Sequence, residues 1–111
     1  MINILVLKSK QNIVAIEATG HSGYAESGSD IVCSAVSTLL ESLINGLIEV
    51  LKINPDYTID EETPFLKVAL KDLSKEKMRD AQILMNSTFL GLKGVEDSYK
   101  KFIKIKEKQN D

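Results

Sequence analysis

The chain has 111 residues, of which 43% are hydrophobic and 27% are charged, and its net charge is −2. This length and composition predict one soluble globular domain, residues 1–111, and the charge gives no general reason to bind nucleic acid. The one cysteine cannot form an internal disulfide, which suits a reducing compartment. The first apolar run is too short for a signal peptide or membrane span, so we expect a cytoplasmic protein.

The first half of the chain predicts a hairpin followed by a long helix. Residues 2–8 and 12–20 alternate apolar and polar side chains around a short polar turn, and Val14, Ile16 and Ala18 share one predicted face. Residues 30–53 carry apolar side chains at helical spacing, with Asp30 in position to cap the first turn and Glu41 on the polar side.

The second half predicts another hairpin, another helix and a last strand. The strands are expected at 57–60 and 65–70, the helix at 74–94 with Gly91 or Gly94 as its end, and the last strand within 99–108. The predicted order is β-β-α-β-β-α-β. The simplest packing is an α+β two-layer sandwich, in which two helices cover one face of a mostly antiparallel sheet.

The single histidine, His21, and the single cysteine, Cys33, bracket a glycine-bearing loop between the second strand and the first helix. The start of a helix favours a thiolate, and a histidine within hydrogen-bond reach can take the thiol proton and later protonate a leaving amine. Free N–H groups there are also expected to hold an oxyanion. Strand alternation, however, points His21 away from the helix unless the chain bends at Gly20.

Purely structural roles for the same residues stay open at this point. Cys33 on the flank of an apolar helix face is often a core residue, and a lone histidine beside glycines is often a loop residue. Asp30 is better explained as a helix cap than as a member of a triad. Ser37, one turn after Cys33, either bonds the site or bonds back to a helix carbonyl. The lysines near the C-terminus are better explained as guards of an edge strand than as RNA ligands.

The residue types do not predict a metal site or a cofactor. One histidine and one cysteine without a carboxylate cluster do not supply the ligands of a metal ion. The glycines of the loop match neither the dinucleotide-binding pattern nor the phosphate-binding P-loop pattern. We therefore expect neither a bound metal nor a cofactor.

The stretch from Gly20 to Ser37 resembles the motif of the ribosomal-processing cysteine proteases. The matching residues are Gly20, His21, Ser22, Gly28, Asp30, Ile31, Val32, Cys33, Ala35, Val36 and Ser37. The resemblance implies an α+β homodimer in which Cys33 is the nucleophile and His21 the general base and acid, with Asp30 and Ser37 in supporting positions. It also implies that the substrate is the N-terminal extension of a large-subunit ribosomal protein.

The loop between the two predicted catalytic residues is expected to close over a bound peptide. Glycines bracket and interrupt it, and the gating residues are Gly20, Ser22, Gly23 and Gly28. Two other functions remain as alternatives. One is a non-catalytic dimeric binding module of ribosome assembly, in which Cys33 is core, and the other is a redox-sensing thiol protein that cleaves no peptide.

Overall fold

The computed structural model describes residues 1–20, 25, 30–60 and 65–110, which form a five-stranded sheet and two helices. The strands are β1 (Ile2–Ser9), β2 (Asn12–Thr19), β3 (Asp56–Asp60), β4 (Phe65–Ala69) and β5 (Ile103–Gln109). The helices are α1 (Ile31–Asn45), which continues as a π-helical segment (Gly46–Val50), and α2 (Lys75–Ser98). The predicted α+β class and the predicted order of elements are confirmed.

The sheet is mixed, with the spatial order β3-β4-β2-β1-β5. Every neighbouring pair is antiparallel except β1 and β5, which run parallel because α2 carries the chain across the sheet before β5 begins. The mostly antiparallel sheet predicted from the sequence is therefore confirmed. The hydrophobic core combines side chains of both helices with those of the strands.

The first hairpin contains a β-bulge that the sequence did not predict. Leu7 pairs with Ala15 and Lys8 with Ile13, so Val14 is the extra residue of β2. A bulge shifts the alternation of side chains by one position. The prediction that Val14 shares the core face with Ile16 is consequently wrong: Val14 is half-buried, and Ile13, 1% exposed, joins the core instead.

Helix α1 is the central helix of the core. Its buried residues recur at helical spacing and are Val32, Val36, Leu40, Leu43 and Ile44, followed by Leu47 in the π-helical segment. The predicted end at residue 53 is three residues too late. Lys52 adopts a positive φ of 56°, which a right-handed helix does not accommodate, and the helical segment ends at Val50.

The segment Ile31–Val50 is also the one helix of the described residues that is long and apolar enough to cross a membrane. The buried helix of a globular core has the same length and composition. Here Val32, Val36 and Leu40 are at most 3% exposed and belong to the hydrophobic core. The packing therefore accounts for the apolar character of this helix.

Helix α2 passes through both glycines that were expected to end it and continues to Ser98. The apolar face continues beyond Gly91, because Leu92 is buried and Val95 packs against the core. Gly91 lies where α2 approaches α1, and a Cβ atom at this position would stand 3.0 Å from Leu39 Cδ2. The glycine at 91 thus permits close packing of two helices and does not mark a helix end.

The two glycines of α2 provide a test of this packing. Gly94 has open space beside it, with nothing within 4 Å of an added Cβ. We expect Gly94→Ala to raise the free energy of unfolding by about 0.5–1 kcal/mol, because alanine has the higher helix propensity. Gly91→Ala should gain clearly less, because its Cβ crowds Leu39. Urea denaturation of both variants measures the difference, and an equal gain at the two positions would contradict the close approach of the helices.

Candidate active site

Cys33 lies in the first turn of α1, beside the residue that caps the helix. The backbone of Asp30 is extended, and its Oδ1 accepts hydrogen bonds from the N–H groups of Val32 at 3.0 Å and Cys33 at 3.1 Å. The predicted capping role of Asp30 is thereby confirmed. The second carboxylate oxygen accepts a hydrogen bond from the thiol, with Cys33 Sγ 3.3 Å from Asp30 Oδ2.

The Asp30 cap occupies N–H groups at the start of α1 that could otherwise bind a substrate oxygen. Oxyanion binding was expected from free N–H groups in the first turn. The N–H groups of Val32 and Cys33 instead donate to the Asp30 side chain, and that of Ser34 donates to the Asp30 carbonyl at 3.1 Å. An oxyanion would have to displace the carboxylate to reach the first two of these donors. The expectation that these groups are free is therefore wrong.

Asp30 is itself well protected from solvent, with 7% of its surface exposed. A buried carboxylate is stable only when hydrogen bonds replace its water contacts. Two backbone N–H groups and one thiol supply such bonds here. The carboxylate consequently fixes both the direction of α1 and the position of the sulfur atom.

Cys33 opens onto a cavity of about 310 Å³ between α1 and one end of the sheet. The lining residues come from α1 and from four chain segments at that end of the sheet, and they are Ile2, Ala18, Gly20, Cys33, Val36, Ser37, Glu41, Ile59, Asp60 and Leu66. Cys33 is half-buried, so its sulfur can still be reached from the cavity. The side chain also packs against the hydrophobic core, and the opening to the cavity would give a nucleophile at this position access to a substrate.

Gly20 ends β2 at the edge of the same cavity. Its φ of +87° lies in the region that favours glycine, and a Cβ at this position would stand 2.5 Å from the carbonyl oxygen of Met1. A larger residue would therefore clash with the N-terminal backbone. The chain bends at Gly20, as the predicted pairing of His21 with Cys33 requires, and strand alternation stops at Thr19.

Four of the predicted site residues, His21, Ser22, Gly23 and Gly28, lie outside the described residues. The pairing of His21 with Cys33 and the closure of the loop therefore stay predictions. Ser37 lies inside the described part of the chain and lines the cavity one turn after Cys33.

Apart from Gly20, Cys33 and Ser37, the sequence did not identify the residues that line the cavity. Ile59, Asp60 and Leu66 come from β3 and β4, and their place beside Cys33 depends on the order of strands in the sheet. Glu41 was assigned to the polar side of the helix, yet it also lines the cavity. The sequence signal for this place in the cavity wall was the spacing of eight residues, about two helical turns, between Cys33 and Glu41.

The chain resembles known proteins along nearly its whole length. Residues 1–104 match the model of a family described as cysteine protease Prp. A ribosomal processing cysteine protease Prp of Bacillus subtilis (strain 168) is 27% identical over 96 residues, which cover 86% of each chain. The protein of the same name from Staphylococcus aureus (strain Mu50 / ATCC 700699) is 22% identical over 104 residues, covering 94% of this chain and 95% of that relative.

Two solved structures have a similar fold. The ribosomal processing protease Prp of S. aureus, in complex with a covalently linked product peptide, superposes with a TM-score of 0.87 at 23% identity, covering 97% of this chain and 100% of the other. A Streptococcus mutans protein superposes with a TM-score of 0.86 at 29% identity, covering 99% and 96%. Both confirm the α+β fold.

The double role of Asp30 predicts different results for two substitutions. Asp30→Asn keeps an oxygen for the helix cap and removes the negative charge beside Cys33 Sγ. We expect iodoacetamide to label Cys33 faster in this variant at neutral pH, by about five- to tenfold, with little loss of stability. Asp30→Ala should also lose about 1 kcal/mol of unfolding free energy, because the cap is gone. Unchanged labelling in Asp30→Asn would mean that the carboxylate does not act on the thiol.

Proposed function

Because the chain belongs to the cysteine protease Prp family, a family of cysteine peptidases, we propose that it removes the N-terminal extension of a large-subunit ribosomal protein, with Cys33 as nucleophile and His21 as general base. The observation that carries the proposal is the thiol of Cys33 at the start of α1, reachable from a cavity of about 310 Å³ whose walls combine apolar and polar residues. The cavity is large enough for side chains of a bound peptide.

The proposed reaction has two steps. The imidazole of His21 takes the proton of the Cys33 thiol, and Sγ attacks the scissile carbonyl carbon to form a tetrahedral intermediate. The intermediate collapses when the imidazolium gives its proton to the leaving amine, which releases the peptide on the carboxyl side and leaves a thioester on Cys33. A water molecule, deprotonated by the imidazole, then hydrolyses the thioester and restores the thiol.

Asp30 and Ser37 support this reaction from the start of α1. In the structure the Cys33 thiol donates a hydrogen bond to Asp30 Oδ2. This hydrogen bond must break, and the thiol proton must pass to His21, before Sγ can attack. Asp30 acts as a positioning residue, because its other oxygen is fixed by two backbone N–H groups of α1. Ser37, one turn along the helix, is within the same cavity and can hydrogen-bond a substrate backbone group.

The relatives support the proposed substrate. Those from B. subtilis and S. aureus carry the name ribosomal processing cysteine protease, and solved S. aureus structures contain a substrate peptide or a covalently linked product peptide. The same proposal includes action as a homodimer in the cytoplasm, where a reduced thiol and the ribosomal substrate are both available.

The test is cleavage of the extended ribosomal protein, followed by mass measurement of the products. We expect the wild-type chain to shorten the substrate at one position. Cys33→Ala should abolish cleavage and keep the fold, because alanine suits the helix and removes little buried volume. Cys33→Ser should be nearly as inactive, because a hydroxyl is far less acidic than a thiol.

His21→Ala should also lose nearly all cleavage, since the thiol proton then has no base to accept it. Ser34→Ala is the matched control, because Ser34 is an exposed residue beside Cys33 that does not line the cavity. Normal trimming by folded Cys33→Ala would disprove the assignment of the nucleophile. Normal trimming by His21→Ala, with Cys33→Ala inactive, would disprove the assignment of the base alone.

A further inference from the structure

The cavity beside Cys33 has the shape of a trough with two defined walls. Cys33, Ser37 and Glu41 line one wall on successive turns of α1, which places Glu41 about 12 Å along the helix axis from Cys33. Ala18, Leu66 and Ile59 form the other wall. They are register neighbours on β2, β4 and β3, so this row spans two strand spacings, about 10 Å.

These dimensions fit a short stretch of extended peptide. An extended chain advances about 3.3 Å per residue, so about three or four residues span the distance from Cys33 to Glu41. Apolar side chains of such a peptide would contact Ile59, Leu66 and Val36. Ile59 is 44% exposed, so its side chain offers apolar surface for contact with a peptide.

Glu41 is the charged residue of the helix wall. Its side chain is exposed, and the ion pairs between described residues join Lys8 with Glu107, Lys71 with Asp56, Arg79 with Asp80 and Lys93 with Glu96. Glu41 belongs to none of them. Asp60 lies on the sheet side of the same cavity, and no lysine or arginine is among its described lining residues.

Glu41 therefore places a negative charge in the trough about 12 Å along the helix axis from Cys33. We propose that Glu41 selects substrates with a basic side chain three or four residues from the scissile bond. This inference rests on the proposed function, because it takes Cys33 as the nucleophile and so fixes the position of the scissile bond. A lysine or arginine at that distance brings its cation to the Glu41 carboxylate while its backbone follows the trough.

The test uses peptides that span the cleavage site of the ribosomal extension. Lysine, glutamine or glutamate is placed in turn at the third and fourth residues on either side of the scissile bond. We expect the wild-type chain to cleave one lysine peptide with a kcat/KM about two- to fivefold above that of its glutamine counterpart, the size of effect typical of an exposed ion pair. The preference should shrink as NaCl is raised, because salt screens exposed charges.

Variants of Glu41 should change this preference, measured as the ratio of kcat/KM between the lysine and glutamine peptides. Glu41→Gln should abolish the preference for lysine, and Glu41→Lys should favour the glutamate peptide at the same position. Glu49→Gln is the matched control, since Glu49 is an exposed acidic residue further along the same helical segment and does not line the cavity. It should keep the wild-type preference.

Binding of the same peptides to Cys33→Ala protein, followed by fluorescence anisotropy, separates the two proposals. If wild-type protein cleaves none of the peptides, the proposed function is wrong, and the binding arm still decides the role of Glu41. Tighter binding of a lysine peptide that disappears in Cys33→Ala/Glu41→Gln supports the inference. Equal cleavage and equal binding of lysine, glutamine and glutamate peptides would overturn it.

Discussion

The site depends on how the two oxygens of one carboxylate are shared. Asp30 Oδ1 accepts the N–H groups of Val32 and Cys33, which starts α1, while Oδ2 accepts the thiol of Cys33. The first interaction sets the direction of the core helix, and the second holds the sulfur at its end. Because both involve one buried side chain, the geometry of the thiol is tied to the same contact that begins the main packing element of the fold.

The cavity, by contrast, is a product of the sheet. The order β3-β4-β2-β1-β5 puts the second hairpin beside β2, and the register then places Ile59, Leu66 and Ala18 in one row opposite α1. The row ends near Gly20, whose positive φ and close approach to the Met1 carbonyl end β2. A thiol at the start of a helix thus faces a trough whose opposite wall is built by three separate strands.

Local patterns predicted most of the fold and placed Asp30, Cys33 and Ser37 together at the start of α1. Helical spacing and the Asp30 cap located α1, and the motif around Cys33 identified the thiol, because both depend on residues close in sequence. The bulge at Val14 and the passage of α2 through Gly91 were missed, because pairing register and helix–helix contact decide them. The place of Glu41 in the cavity wall was missed for a similar reason, because it depends on which strands the sheet places opposite α1.

The Asp30 contact also implies a conflict between folding and reactivity. The positive end of a helix favours a thiolate, whereas a neighbouring carboxylate favours the neutral thiol that can donate a hydrogen bond to it. The cap opposes the effect of the helix, since Asp30 occupies two of the N–H groups through which the helix end acts. In the structure the thiol accordingly donates its hydrogen bond to Asp30 Oδ2. In the proposed mechanism His21 is the base that removes the thiol proton, so the reactivity of Cys33 depends on His21 as well as on the helix start.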